Sequence, residues 1–195
     1  SLDWAAGIVR KDNYLYALGN DVARICKINL TTFTEEATLD LLATDEWPID
    51  IDVVGNYLYA LCEGDVEPNK VVKVDIPTFT RVAGLQIGAA WDTTCEHPDL
   101  NGEYLYVGDR NWPSAVHKIR LSDFSYVGTL TLPAGEDAAC SLEVVGDQLF
   151  VYLEQADPSG ITKVDLGTFS WVAHTDLDTG EYWWWSPHSI VACLL

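Results

Sequence analysis

The sequence predicts an all-β protein: a β-propeller of four repeats, each a four-stranded blade of about 45 residues, with an extra C-terminal strand. Three observations predict it. Lys27, Lys73, Lys118 and Lys163 are spaced 46, 45 and 45 residues apart, and Phe33, Phe79, Phe124 and Phe169 keep the same spacing. The phrases NYLYAL, NYLYAL, EYLYVG and DQLFVY recur ahead of ICKINLTTF, VVKVDIPTF, VHKIRLSDF and ITKVDLGTF. Turn-forming pairs (Asp12–Asn13, Gly55–Asn56, Asn101–Gly102, Gly146–Asp147) stand at one fixed place in every repeat. The repeats run over 1–44, 45–89, 90–134 and 135–179 of a single domain or propeller segment, followed by 186–195.

Each repeat opens with a strand A, at 7–9, 49–54, 95–100 and 140–145. It closes on the Asx/Gly pair, because such residues accept the positive φ that tight hairpins need. Strand B follows at 14–18, 57–61, 104–107 and 148–152, rich in the aromatic and aliphatic residues that suit a pleated surface. A polar loop of varying length comes next, as expected at a surface. Strand C, at 25–30, 71–76, 116–121 and 161–166, alternates apolar and polar residues, so one face packs and the other carries the repeated lysine. That lysine is expected to lay its stem on the blade surface. The turns TTF, PTF, SDF and GTF each end in the repeated Phe, expected to pack between blades. Strand D, at 35–42, 80–87, 125–132 and 170–177, is a polar outer edge. Helical periodicity is absent.

The phrases G-x-YLYV, V-x-K-[IV]-D-L-x-TF and V-x-T-L resemble the YVTN-type and LVIVD-like propeller repeats over essentially the whole chain. The resemblance implies a propeller and says little about activity, since such repeats serve many roles. The Gly-His and Trp-Asp pairs that WD repeats carry at repeat-specific positions are lacking.

Thirty acids against 11 bases, a formal charge of −19, argue against nucleic acid and against an anionic membrane surface. No apolar run is long enough to insert in a bilayer. The chain starts at Ser1 and contains no Met, so a processed start is expected. Five cysteines at scattered repeat positions do not read as a disulfide framework, and their odd count leaves at least one thiol unpaired within the chain.

The D-to-A loops set acids beside aromatics, and they are the candidate ligand-binding residues: Trp4; Asp45, Glu46 and Trp47; Trp91 and Asp92; Glu136 and Asp137; Glu181 and Trp183. Carboxylates accept from sugar hydroxyls and an indole face stacks on a sugar ring; the same pair suits a cation. Clustered carboxylates also suit Ca²⁺; no other cofactor is expected, and no catalytic or metal-ligating set stands out. Three consecutive Trp, 183–185, cannot all bury on one side of a strand. Trp184, Trp185, Ile190, Val191 and Leu194 are therefore candidate interface residues. The segment 186–195 reads as a fifth strand A. It fits a longer propeller, strand exchange between copies by β-augmentation, or an irregular ring.

The expectation is a non-enzymatic scaffold for binding or assembly, extracellular, envelope or virion in setting. It would take a protein partner or self-associate through the C-terminal strand. A carbohydrate-binding or carbohydrate-active propeller, with a glycan at the acidic, Trp-bearing loops, is the alternative.

Overall fold

A computed structural model of the chain describes residues 5–20, 22–64, 68–87, 99–154 and 159–177. It contains sixteen strands in four antiparallel four-stranded sheets. Blade 1 comprises β1 (Ala5–Lys11), β2 (Tyr14–Gly19), β3 (Arg24–Asn29) and β4 (Thr34–Asp40). Blade 2 comprises β5 (Pro48–Val54), β6 (Tyr57–Cys62), β7 (Lys70–Asp75) and β8 (Thr80–Gln86). Blade 3 comprises β9 (Asp99–Leu100), β10 (Tyr104–Gly108), β11 (Ala115–Arg120) and β12 (Ser125–Thr131), and blade 4 comprises β13 (Ala139–Val145), β14 (Gln148–Leu153), β15 (Gly160–Asp165) and β16 (Ser170–Asp176). Each sheet pairs its strands in chain order, as consecutive hairpins dictate. This is the β-propeller blade that the repeats predict.

Turn chemistry sets the hairpins. Asp12, Gly55, Gly102 and Gly146 hold positive φ between strands A and B, as the Asx/Gly pairs require. At the C-to-D turn the Phe itself is left-handed, with φ of 52°, 48°, 50° and 48° at Phe33, Phe79, Phe124 and Phe169. A side chain at the end of strand C bends the chain there: Asn29, Asp75 and Asp165 each accept a hydrogen bond from a Thr N–H two or three residues on. That bend ends strand C one residue earlier than its apolar pattern suggests. The strand also begins one residue earlier, because Arg24, Lys70 and Gly160 join the ladder opposite Gly19, Cys62 and Leu153.

The chain divides into two compact units, Ser1–Asp92 and Thr93–Leu195, each with two blades. In the first, one face of blade 1 (its trailing face) presents Tyr16, Leu18 and Ile25 to the leading face of blade 2, which supplies Ile51, Leu58, Ala60, Val72 and Val74. All are buried, and each large aliphatic side chain there is worth about 1.5–3 kcal/mol relative to exposure. The inner strands approach closely: a Cβ on Gly7 would lie 2.8 Å from Asp50 Oδ1 and 3.1 Å from the Ile51 nitrogen. The second unit repeats the seam, with Tyr106 and Val116 of blade 3 against Leu149, Val151, Leu153 and Val164 of blade 4.

The repeated Phe packs between blades at two positions. Phe79 meets Tyr16 at 6.0 Å between ring centroids, and Phe169 meets Tyr106 at 6.2 Å. Phe33 departs from the expectation, being 77% exposed. Within its unit blade 1 has no preceding blade to receive that ring. The repeated lysines lie over aromatic rings: Lys27 over Tyr14 at 4.1 Å, Lys73 over Tyr57 at 4.0 Å and Lys118 over Tyr104 at 4.1 Å. Cross-strand register puts them there, since Lys27 and Lys118 pair with Tyr16 and Tyr106. Burial lowers the pKa of Lys73 and Lys118.

Candidate functional site

The D-to-A loop is built the same way in blades 2 and 4. Asp45 N–H donates to the Leu42 carbonyl at 2.8 Å, and Glu136 N–H to the Pro133 carbonyl at 3.0 Å. Further on, the Trp47 and Ala138 carbonyls accept from Glu63 and Glu154 N–H at 3.1 and 3.0 Å. Trp47 and Ala138 both hold positive φ, 37° and 54°. One backbone thus presents two sets of side chains.

In both loops the acid turns inward. Asp45 is fully buried and takes a two-pronged hydrogen bond from Arg81: Nε to Oδ2 at 2.7 Å and Nη2 to Oδ1 at 2.9 Å. Its Oδ2 also accepts from Leu42 N–H at 3.1 Å, and Lys70 Nζ lies 3.8 Å from Oδ1. The hydrogen bond to Asp45 raises the Arg81 pKa above its ordinary value. Glu136 is buried likewise and accepts from Trp171 Nε1 at 2.8 Å and from the Thr162 hydroxyl. Trp171 stands where Arg81 stands in the earlier repeat, so two different donors meet the same acid position. Such pairs tie the loop to the blade.

Trp47 differs from its counterpart. Ala138 is buried, whereas Trp47 is 49% exposed. Its φ of 37° is unusual for a bulky residue, and more so directly before Pro48. The indole borders a groove of about 430 Å³ lined by Asn20, Val22, Leu41, Leu42 and Glu46. Asn20 Nδ2 donates to the Pro48 carbonyl at 3.1 Å, while its buried Oδ1 accepts no hydrogen bond among the described residues. The groove therefore combines a stacking face with the half-buried Glu46, while the Asn20 amide oxygen is buried in its wall.

Of the other candidate binding residues, Asp137 is half-buried. Trp4, Trp91, Asp92, Glu181 and Trp183 lie outside the described residues, as do the candidate interface residues Trp184, Trp185, Ile190, Val191 and Leu194 and the extra strand 186–195. Asn20, Arg81 and Trp171 were not singled out by sequence. Arg81 lies 36 residues beyond Asp45, and only the matching repeat positions of Arg81 and Trp171 point to it.

Among the described residues the thiols are buried and the imidazoles are held by hydrogen bonds. Burial raises the thiol pKa of Cys26 and Cys62, and pushes that of Cys140 up to about 12. Such thiols are poor nucleophiles at neutral pH. His117 is held by Tyr126 at 3.0 Å, and His174 by Thr162 and Asp176, both at 3.1 Å. Among the described residues no three His, Cys, Asp or Glu side chains gather closely enough to hold a metal ion.

No protein-family model and no curated protein matches the chain. Solved structures do. A Kuenenia stuttgartiensis hydrazine synthase chain is similar over 91% of this chain and 50% of its own length, at 14% identity and a TM-score of 0.77. The WD40 repeats of RRP9 match over 87% of this chain and 50% of theirs, at 13% identity and a TM-score of 0.67. U3-55K gives 87% and 51%, with the same identity and TM-score. The chain spans about half the length of these structures. At such identity the likeness is one of fold: a β-propeller. The WD40 neighbours share it although this sequence does not repeat a Trp-Asp pair from blade to blade.

Proposed function

We propose that this chain is a non-enzymatic β-propeller scaffold that binds protein partners and assembles through exposed apolar surface. The observation that carries this reading is the contrast between acids and large apolar side chains. Asp45 and Glu136 are spent on internal locks, while Phe33 is 77% and Trp112 is 72% exposed. A scaffold needs rigid blades and sticky edges, and its thiols and histidines need not react. The propeller fold of the WD40 neighbours is compatible with such a role. Membership of the YVTN or LVIVD-like repeat type, an extracellular, envelope or virion setting, and self-association through 186–195 belong to the same proposal. A net charge of −19 suits it by keeping a partner-binding surface soluble.

A second reading is favoured by one feature, the Trp47 groove. An exposed indole beside Asn20 and Glu46 has the chemistry to stack on a sugar ring and bond its hydroxyls. The two readings part in one experiment. The chain and its Trp47→Ala variant are tested on a glycan array and for hydrolysis of aryl glycosides. The scaffold reading expects silence in both assays. Glycan binding that saturates and is lost in Trp47→Ala, or turnover of any glycoside, overturns it in favour of the second. The role of 186–195 is tested separately, by light scattering on a chain lacking those residues; an unchanged mass and melting temperature would remove it.

A further inference from the structure

Each unit shows how one blade covers the next, and the seam has a repeating chemical rule. The trailing face supplies an aromatic ring and the lysine paired with it across the strand: Tyr16 with Lys27, Tyr106 with Lys118. The leading face supplies the left-handed Phe in both units and, in the second, the carbonyl three residues before it. In the second unit Lys118 Nζ lies 5.2 Å from the Phe169 ring centroid and donates to the Leu166 carbonyl at 3.5 Å. Phe169 in turn lies against Tyr106.

The leading face of blade 1 and the trailing face of blade 4 carry the two halves of this rule. On blade 1, Ile8 pairs with Ala17 as Ile51 pairs with Ala60, so Ile8 and Ile51 share one register position. Ile51 is 4% exposed within its seam, but Ile8 is 63% exposed. Phe33 repeats Phe79 and is 77% exposed. Ala17 and Cys26 share the register line of Ile8 across strands β2 and β3 and are buried. On blade 4, Phe150 pairs with Lys163 as Tyr106 pairs with Lys118, and Tyr152 pairs with Ile161 as Leu18 pairs with Ile25. Leu18 and Ile25 are wholly buried, whereas Phe150, Tyr152 and Ile161 are only half-buried.

We propose that the leading face of blade 1 docks on the trailing face of blade 4 of a second copy of this chain, head to tail. Phe33 of one copy then lies against Phe150 of the other, and Lys163 reaches the Leu30 carbonyl as Lys118 reaches that of Leu166. The occupant is a second copy because the complementary half of the seam is encoded on this same chain, in the same register. Each copy owns one face of each kind, so a closed head-to-tail ring of copies leaves neither face open, and a ring of two is the smallest such assembly. The inference deepens the assembly reading above and rests on it.

Sedimentation velocity on the full chain tests the idea. A species of twice the 21.6 kDa chain mass is expected. Phe33→Asp, which touches no buried packing, should return the single-chain mass with an unchanged far-ultraviolet circular dichroism spectrum. Phe150→Asp should do the same on the other face; if it unfolds, Lys163→Glu serves instead. A monomeric full chain overturns the proposal. So does a dimer that survives Phe33→Asp, or one that survives the folded trailing-face variant. None of these outcomes depends on the glycan and hydrolysis assays, so the seam and the scaffold reading fail separately.

Discussion

The Asp45–Arg81 pair decides how the first unit holds its D-to-A loop. The carboxylate is fully buried, and its strongest partner is a guanidinium whose side chain is 21% exposed. Removing one member of a buried pair strands the other, at about 3–5 kcal/mol. Asp45→Ala should fall near the lower figure, because Arg81 can turn toward water. The urea midpoint of the variant reads this directly. Asp40→Ala is the control: it breaks an ion pair with Arg24 in which the Asp40 side chain is 64% exposed, and should barely move the midpoint. Equal losses in the two variants would mean that the Asp45 lock does not hold the loop.

The turn acids give a second residue-scale prediction, in pH. Asp75 accepts from the Thr78 hydroxyl at 2.5 Å and from its N–H at 2.9 Å. Asp165 accepts from Thr168 N–H at 2.7 Å and from its hydroxyl at 2.8 Å. These hydrogen bonds hold both carboxyls below the ordinary 3.8. A folded pKa below the unfolded one gives stability that is whole above about 3.8 and is lost as pH falls through the folded value. The double variant Asp75→Asn, Asp165→Asn should therefore show a shallower acid branch in urea midpoint against pH. An identical branch would mean that these turns do not respond to protonation.

At the scale of elements, the Phe turn links local strain to packing between blades. Left-handed φ is costly for a bulky residue, of order 1–2 kcal/mol, and the seam must offset it. Phe79→Ala and Phe169→Ala should each cost about 2 kcal/mol, less than a fully buried Phe because both rings are half-buried. Phe33→Ala, measured at a dilution where chains are separate, should cost little, since its ring has no such seam. Chemical denaturation of the three variants makes the comparison, and equal losses would refute the seam account. The hairpins and the strand order of all four blades were legible because they repeat. Asp12, Gly55, Gly102 and Gly146 declare the turns locally. The direction of each loop acid was not legible. Asp45 and Glu46 are adjacent carboxylates, and what sends Asp45 inward is an arginine 36 residues away. Trp47 read as one of several loop indoles. Its distinction from the buried Ala138 needs the shared backbone to be visible.

At the scale of the whole molecule, charge imbalance outweighs charge pairing. Eleven bases cannot neutralise 30 acids, so the folded chain is under net repulsion at neutral pH. Salt has two opposing effects: it weakens exposed pairs such as Arg120–Asp123 and it screens the acid–acid repulsion. The excess of acids makes the second effect the larger. The melting temperature should therefore rise as sodium chloride goes from a few millimolar to about 0.1 M, where the screening length is about 10 Å. A fall over that range would mean that specific surface pairs outweigh the general field. The same titration probes a calcium-stabilised scaffold, which the acidic loops support as a proposal. Screening depends on ionic strength alone, whereas carboxylate ligation depends on the ion. Calcium chloride that raises the melting temperature beyond sodium chloride at matched ionic strength, reversibly with chelator, would establish ligation. Coincident curves would reduce the role of the exposed acids to repulsion, leaving Asp45 and Glu136 as locks and Asp75 and Asp165 as turn acceptors.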